Sequence, residues 1–528
     1  MILRMKALVA ALCALALVAC GGDIPQSVKP NSSEKLVIVA ATELSDMEPL
    51  IQRASADLGF EIEMQYPDGT IANSVSLKEG AFDGVFDATW FATNKYVDLY
   101  GADAKQGPST SVATSPIAFG VHAAKARELG WTNKQPTWDD ITTAVKEGKF
   151  SYGMTDPSRS NSGFSALVSV ATANADTGAA LQLTDMPGLQ EPLQSFFEGQ
   201  KMTAGSSGWL EDSFVSDPGH VDAIINYESV LLQMKKQGST DIEVVVPADG
   251  VVTADYPLAP LAQPRSPEAA EQTSRLVEWL TQHNKDIVTD TMRRPADPAV
   301  QLLPEHQKNN LIELPFPARQ SVAEDLLDTF KNELRAPGRT VFVLDKSGSM
   351  EGDRMASLHG ILQDLVAGTA QTQTGPVGFH NRERITVIGF DSTVDQPVTT
   401  EFRKNDATKS KELTNAITSL KPYGQTAIYD ALITAYRQFQ EAPPKDGEIP
   451  SIVLMSDGGS NTGAKYQDFV EFHQTLSPEM RRIPVFVILY GEANAKEMEQ
   501  VATLTGGKTF DAQGGDLGGA FKEIRGYQ

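Results

Sequence analysis

Carboxylate and hydroxyl side chains follow apolar segments at three places in the C-terminal part of the chain. Asp345, Ser347 and Ser349 alternate directly after the apolar run TVFVL, and Asp457 directly follows SIVLMS. Thr426 lies in the loop segment GQT, just before a segment with helical spacing. Because ligands gather at the carboxyl ends of strands in an open parallel sheet, we expect these places to converge. Carboxylates and hydroxyls are hard oxygen ligands, which favour Mg²⁺, Mn²⁺ or Ca²⁺.

The alternating Asp-x-Ser-x-Ser segment by itself is also typical of turns and helix caps. Together with Thr426 and Asp457, however, it resembles the metal-ion-dependent adhesion site of the von Willebrand factor A domain, over roughly residues 338–528. In that family the two serines and the threonine touch the ion, and the aspartates bind it directly or through water. The resemblance implies one divalent cation, with Mg²⁺ preferred over Mn²⁺ or Ca²⁺. It also implies an unidentified protein partner that offers an acidic group to the open coordination position.

The motifs of several hydrolytic and phosphoryl-transfer enzymes are missing from the sequence. It contains no HExxH segment, no GxSxG elbow and no Walker-type loop, and its seven histidines are scattered. A hydrolytic metal centre needs a general base or a nucleophile close to the ion. We therefore expect a binding protein and not an enzyme, and a metal-dependent enzyme is the weaker alternative.

Strands and helices alternate from residue 35 to about residue 300, which predicts an α/β unit. The segments VAATELSDMEPL, FDGVFDATWFATNKYV, SPIAFGVHAAKARELGW and AIINYESVLL resemble those of bacterial extracytoplasmic solute-binding proteins. The resemblance implies the two-lobed fold of type 2 periplasmic binding proteins, with a small-molecule cleft between the lobes. A receptor for an ABC-type importer, with the A domain as an accessory, is the alternative function.

Two groups of polar residues are candidates for lining this cleft. Ser160 and Ser162, near Arg159, open a predicted helix, where backbone N–H groups could bind an anion or the serines could simply cap the helix. The other candidates are Thr42, Glu43, Thr89, Trp90, Tyr227 and Glu228. Glu43 and Glu228 suit a small oxyanion poorly. They favour a cationic, sugar-like or peptide-like ligand, or else they lie outside the pocket.

The N-terminus is predicted to direct export. Arg4 and Lys6 precede an apolar run that ends in LVACG, and this resembles the bacterial lipoprotein signal with Cys20 as the lipidated residue. We expect a signal peptide over 1–19 and a tether over 20–34. The mature protein would then be anchored by lipid in the cell envelope and would face outside the cytoplasm, at the outer membrane or in the periplasm of a Gram-negative host. Cys13 and Cys20 are the chain's two cysteines, so no disulfide is expected after processing.

Length and charge complete the predicted organisation. The 528 residues suffice for two or three domains, and the net charge of −23 disfavours binding to nucleic acid. We predict a solute-binding-like domain over 35–300, a linker with a helix over 301–337, and a doubly wound, mostly parallel A domain over 338–528. The predicted function is metal-dependent interaction or adhesion through the A domain, combined with the cleft of the first domain.

Overall fold

A computed structural model describes residues 35–205, 207–370, 378–445, 447–491, 495–512 and 517–525. The predicted signal peptide, the lipidated Cys20 and the tether lie outside these residues. Within the described ranges, no helix is both long and apolar enough to cross a membrane.

The first unit is built from two mixed sheets, which form its two lobes. Its strands are β1 Lys35–Ala40, β2 Glu61–Gln65, β3 Ala88–Trp90, β4 Thr110–Ser111, β5 Ala113–His122, β6 Tyr152–Thr155, β7 Gln200–Ala204, β8 Ala223–Tyr227, β9 Ile242–Val245, β10 Thr253–Ala254, β11 Pro257–Pro260 and β12 Arg294–Pro295. The first sheet has the order β2-β1-β3-β11-β4. The second has the order β10-β5-β8-β6-β7, and β9 and β12 also pair with β5.

Helices pack around both sheets of this unit. They are α1 Glu48–Leu58, α2 Thr70–Lys78, α3 Lys95–Leu99, α4 Ala123–Glu128, α5 Trp138–Lys146, α6 Asn161–Ala175, α7 Met186–Phe197, α8 Ser207–Ser216, α9 Glu228–Gln237, α10 Ala269–Gln282, α11 Asn284–Thr291 and α12 Gln320–Thr329. Short 3-10 helices cover Thr42–Met47, Asp103–Lys105 and His306–Lys308, and a π-helical turn covers Phe330–Leu334. The apolar faces of these elements form one large core and, against one face of the first sheet, a smaller separate cluster that includes Val37, Val39 and Phe91.

The chain crosses between the two sheets at neighbouring strands. β4 lies in the first sheet and β5 in the second, with only Val112 between them. On the return, β10 pairs with β5 and β11 pairs with β3, so the chain changes lobes near Asp255 and Tyr256. These crossovers bring residues from both lobes to a common floor, which is where the cleft of a two-lobed protein is expected.

The predicted linker is packed against the first unit over much of its length. We call residues 301–319 the strap. Leu314 and Val251 are joined by a backbone hydrogen bond of 2.9 Å. The Phe316 ring packs against Tyr96 of the first lobe and Phe164 of the second, at centroid distances of 6.2 and 5.6 Å. The strap therefore touches both lobes, and α12 after it is buried in the core of the first unit.

The second unit is a six-stranded sheet with helices on both faces. Its strands are β13 Gly338–Asp345, β14 Arg384–Phe390, β15 Val398–Glu401, β16 Ile449–Ser456, β17 Val485–Leu489 and β18 Thr509–Asp511, in the order β15-β14-β13-β16-β17-β18. Its helices are α13 Asp353–Ala367, α14 Ala407–Thr418, α15 Ile428–Glu441, α16 Tyr466–Thr475, α17 Pro478–Arg481, α18 Ala495–Thr505 and α19 Leu517–Arg525. Every strand pair is parallel except β14 with β15.

The central strand β13 shows why helices cover both faces of this sheet. Val341 and Val343 belong to one apolar cluster, while Phe342 and Leu344 belong to the other. Successive side chains of a strand point to opposite faces, so a continuous apolar run requires an apolar layer on each side. The helices supply these layers, and the strand ends on Asp345.

Candidate metal site and ligand cleft

The second unit brings polar side chains together at the carboxyl ends of its central strands. β13 and β16 are parallel neighbours with Leu344 opposite Met455, so Asp345 and Asp457 emerge at the same edge. The loop that carries Thr426 approaches this edge through a backbone hydrogen bond of 3.1 Å from Gly348 to Gly424. Gly424 has a φ of +74°, a left-handed conformation that glycine adopts without steric strain.

A network of short hydrogen bonds joins these side chains. The Ser347 and Ser349 hydroxyl oxygens are 3.0 Å apart, and Ser349 donates to Asp457 Oδ1 over 2.7 Å. The Ser347 amide donates to Asp345 Oδ1 over 2.8 Å, and the Ser456 hydroxyl donates to Asp345 Oδ2 over 2.5 Å. We call Asp345, Ser347, Ser349 and Asp457 the metal cluster, because they are four of the five side chains predicted to bind a cation. Burial raises the pKa of Asp345, so a positive charge beside it would stabilise its ionised form.

Thr426 lies in the loop next to the metal cluster, and its backbone amide and carbonyl are both hydrogen-bonded to Asn461. It is 4% exposed, its amide donates to Asn461 Oδ1 over 2.8 Å, and its carbonyl accepts from the Asn461 amide over 3.0 Å. This pairing fixes the loop and leaves the Thr426 hydroxyl outside these backbone hydrogen bonds. The structure thus gathers the five predicted residues at one edge, with four of them directly hydrogen-bonded together.

Sequence reasoning missed two basic neighbours of this site. Arg354 of α13 pairs with Asp457 Oδ2 over 2.5 Å, and Lys346 pairs with Asp391 Oδ2 over 2.5 Å. Asp391 directly follows β14, so it is a strand-end carboxylate that the reasoning applied to Asp345 and Asp457 could have identified. Lys346 neutralises this charge beside the metal cluster, while Arg354 competes for one oxygen of the cluster itself.

The donor chemistry of the metal cluster suits a hard divalent cation. Its two carboxylates and two hydroxyls are all oxygen ligands, and hydrogen bonds link them in a chain from Asp345 through Ser347 and Ser349 to Asp457. The described residues contain no group of three or more His, Cys, Asp or Glu side chains that could hold a metal. A cation at this edge would therefore depend on the hydroxyls and on water as well as on the carboxylates.

Three of the predicted cleft residues already form hydrogen bonds with other groups of the first unit. Glu228 is 1% exposed, and its two carboxylate oxygens accept from Arg294 over 2.6 and 2.8 Å. Trp90 is fully buried and donates to the Tyr256 carbonyl over 3.1 Å. The Thr89 hydroxyl, also buried, accepts from Gln106. Both Glu228 oxygens are therefore already engaged in a buried ion pair within the protein.

The hydroxyl groups of the serines at the start of α6 lie within hydrogen-bonding distance of one another and of Thr155. Ser160 and Ser162 have hydroxyl oxygens 3.0 Å apart, and Ser162 is 2.9 Å from the Thr155 hydroxyl. Arg159 lies against the other lobe, because its carbonyl oxygen is 3.0 Å from where a Cβ on Gly69 would be. The two lobes touch here, and Ser160 stays partly exposed beside the contact.

A second group of polar residues meets at the floor between the lobes. We call it the floor cluster, and its members are Glu43, Asp46, Asn161, Tyr227, Tyr256 and Arg293. Asn161 donates to the Tyr227 hydroxyl over 2.7 Å, and the rings of Tyr227 and Tyr256 are 6.2 Å apart. Arg293 stacks on Tyr256 at 4.6 Å and donates to Asp46 over 2.6 Å. Thr42 next to Glu43 is exposed, so the cluster lies close to the surface of the first lobe.

Comparisons with known proteins agree with the two units. Residues 36–283 match the family model described as bacterial extracellular solute-binding protein. Residues 340–518 match the von Willebrand factor type A domain. Mouse calcium-activated chloride channel regulator 1 is 29% identical over 166 residues, which are 31% of this chain. This chain spans 16% of the length of that curated relative.

Solved structures similar to this chain include several periplasmic binding proteins. AfuA from Actinobacillus pleuropneumoniae, with fructose-6-phosphate bound, is 14% identical with a TM-score of 0.46, covering 57% of this chain and 98% of that one. A periplasmic thiamin binding protein is 14% identical with a TM-score of 0.45, covering 60% and 98%. A Bordetella ferric binding protein is 13% identical with a TM-score of 0.40, covering 56% and 98%.

The fold predicted from the sequence is confirmed in both units. The first has two lobes of mixed α/β structure, and the second is a doubly wound, mostly parallel sheet. The chain therefore joins a bacterial extracellular solute-binding domain to a von Willebrand factor type A domain.

Proposed function

We propose that this chain is a lipid-anchored, extracytoplasmic binding protein that holds a protein partner through a divalent cation and a small molecule in the cleft of its first domain. The observation that carries the proposal is the metal cluster. A buried carboxylate, two adjacent hydroxyls and a second carboxylate lie together where two parallel strands end. Binding, and not turnover, is the proposed activity.

Each residue of the site has a distinct part in this proposal. Ser347, Ser349 and Thr426 offer neutral oxygens, while Asp345 and Asp457 offer the negative charge. When bound, the cation, Mg²⁺ in the first place, supplies a Lewis acid that accepts an acidic oxygen of the partner. Because two carboxylates at most balance a charge of +2 and the hydroxyls add none, such a site keeps its attraction for an acidic group.

Calorimetry on the full chain tests the cation. Wild type is expected to bind one Mg²⁺, Mn²⁺ or Ca²⁺ ion at millimolar concentration or below, and Asp345→Ala is expected to lose this binding. Glu351→Ala is the matched control, since it removes an exposed carboxylate close to the site. Equal binding by wild type and Asp345→Ala would refute the assignment, as would no binding by wild type.

Partner capture tests the interaction. Envelope proteins are passed over the immobilised chain with Mg²⁺ or with EDTA, and over Asp345→Ala with Mg²⁺. We expect a partner that is retained only by wild type or Glu351→Ala in Mg²⁺. A partner retained equally in EDTA would show that the interaction does not use the cation.

The anchor is a separate part of the proposal and rests on Cys20. The wild-type protein expressed in bacteria should partition into the detergent phase, and Cys20→Ala should be released or remain unprocessed. A processed wild type found wholly in the aqueous phase would remove the lipid anchor and leave the rest of the proposal intact.

A further inference from the structure

The floor cluster contains buried polar atoms that make no hydrogen bond of ordinary geometry to the described residues, although Arg293 and the Tyr256 hydroxyl interact electrostatically. They are Arg293 Nε, the Tyr256 hydroxyl, Asp46 Oδ1 and Asn161 Oδ1. Arg293, Tyr256 and Asn161 are at most 3% exposed. Buried polar groups are almost always paired in folded proteins, because an unpaired group loses its hydrogen bonds to water. Their concentration at the junction of the lobes indicates a ligand that completes them.

The balance of charged side chains at the floor indicates the sign of the charge that the ligand carries. The two buried arginines of this region each have a carboxylate partner, Arg293 with Asp46 and Arg294 with Glu228. Glu43 is a third carboxylate, and it interacts with Arg293 chiefly through its backbone carbonyl, which accepts from Nη2 over 2.9 Å. The floor is therefore one negative charge in excess, and that charge is only partly exposed to water.

The Glu43 carboxylate has both charged and aromatic neighbours. Burial raises the pKa of Glu43, Arg293 opposes this shift, and Asp46 adds to it by less than Arg293 removes. Burial also raises the pKa of Tyr227 and of Tyr256, and the charge of Glu43 contributes to both shifts. Because Arg293 donates to the Glu43 carbonyl and stacks on the Tyr256 ring, Glu43 and Tyr256 lie beside the same guanidinium group. Phenol rings favour a cation over their faces.

We infer that the cleft binds a small molecule that carries a protonated amine beside an oxygen acceptor, the chemistry of amino acids, amino alcohols and amino sugars. The amine would lie between Glu43 and Asp46 Oδ1, next to the two phenols. The oxygen acceptor would pair with Arg293 Nε and the Tyr256 hydroxyl. The inference rests on the proposed function of the first domain as a small-molecule binder, and it names the class of molecule.

An oxyanion fits these groups poorly. Sulfate, phosphate or molybdate would place its negative oxygens beside Glu43 and Asp46 Oδ1, and the one unpaired cationic donor at the floor is Arg293 Nε among the described residues. Like charges in a partly buried site raise each other's energy, because the surroundings screen them less than water does. The floor cluster therefore selects against the ligands that the opening of α6 alone would favour.

Thermal unfolding of the full chain with matched probes tests the inference. Glucosamine is compared with glucose, ethanolamine with ethylene glycol, and L-alanine is added; phosphate, sulfate and molybdate form the anion panel. We expect at least one amine to raise the unfolding temperature of the first unit. The uncharged compound paired with that amine, and the anions, should leave this temperature unchanged. Titration calorimetry then gives the affinity of that amine.

Two variants separate binding from folding. Glu43→Gln keeps the shape and removes the charge, and we expect the affinity for the amine to fall roughly 10-fold or more. Tyr256→Phe removes a hydroxyl that has no hydrogen-bond partner among the described residues. It should fold with unchanged stability and still bind the amine more weakly. Glu191→Gln, an exposed change on α7, is the control and should bind as wild type does.

The outcomes distinguish this inference from the proposed function beneath it. Stabilisation by an anion and by no amine would overturn the amine assignment and leave a solute-binding cleft. An amine that binds Glu43→Gln and Tyr256→Phe as tightly as wild type would remove the floor cluster from the site. No shift with any probe would overturn the inference and would also count against a small-molecule role for the domain.

Discussion

The metal cluster and the floor cluster both lie where strands end, but they are assembled in different ways. Three members of the metal cluster come from a single pentapeptide that begins with the last residue of β13, and hydrogen bonds join them to one another. The floor cluster draws on residues from 43 to 293, and several of its polar atoms have no hydrogen-bond partner in the part of the chain that the structure describes. A contiguous motif therefore identifies the first site, whereas missing hydrogen bonds identify the second.

This difference shows which observations locate each kind of site. In the second unit, parallel strands deliver successive polar loops to one edge, so strand order and local sequence suffice. In the first unit, two lobes and several crossovers contribute single residues. Which of these residues is satisfied by the protein, and which awaits a ligand, depends on partners far away in the sequence.

The largest expected effect comes from breaking the buried pair beside the floor cluster. Glu228→Ala leaves Arg294 buried without a countercharge, and the free energy of unfolding of the first unit should fall by about 3–5 kcal/mol. Urea unfolding measures this loss. The double variant Glu228→Leu with Arg294→Met should recover most of it, because no isolated charge stays buried. If Glu228→Ala instead kept its stability and lost the ligand, Glu228 would belong to the cleft.

A smaller loss is expected from the strap that bridges the lobes. Phe316 is partly buried between Tyr96 and Phe164, so Phe316→Ala should lower the free energy of unfolding by about 2 kcal/mol, less than a fully buried phenylalanine would. Ile312→Ala, at a strap residue that is 50% exposed, is the control and should change little. Equal losses for the two variants would mean that Phe316 is not an anchor.

His306 gives the first unit a dependence on pH. The residue is fully buried, and burial holds its pKa below the ordinary value of 6.5. The unfolded chain then binds a proton that the folded chain does not, so stability is present above pH 6.5 and is lost as the pH falls below it. His306→Gln should unfold with a flatter pH dependence than wild type between pH 7.5 and 5, and parallel curves would contradict this.

The smallest expected effect concerns the metal cluster. Arg354 occupies Asp457 Oδ2 and is 34% exposed, so its attraction is weakened by solvent. Arg354→Ala should free this oxygen and tighten cation binding by roughly two- to fivefold in calorimetry. Arg437→Ala is the control: it removes a positive charge from α15 and should leave cation binding unchanged. Weaker cation binding by Arg354→Ala would show that Arg354 organises Asp457 and does not compete for it.

Much of the second unit could be predicted because its signals are local. Apolar runs ending in Asp345 and Asp457 indicate buried parallel strands with polar ends, and the structure has both residues at one edge. In the first unit, Glu43 and Tyr227 were among the cleft residues predicted with the resemblance to solute-binding proteins, but Asp46, Tyr256 and Arg293 were missed. Nothing in the neighbouring sequence marks these three, because each acts through a residue from another segment.

The sequence by itself determined the two α/β units, because hydrophobic periodicity shows which segments form buried strands and helices. It also determined where the five predicted metal ligands lie, because the polar residues that follow a buried strand are visible within a few positions of it. Only the tertiary structure decided that Glu228 pairs with Arg294 and that the strap and α12 pack on the first unit. It also decided which polar atoms at the floor have no partner among the described residues. The physical reason is that desolvation makes every buried polar atom depend on a partner, and the chain's long-range contacts determine whether the protein supplies one.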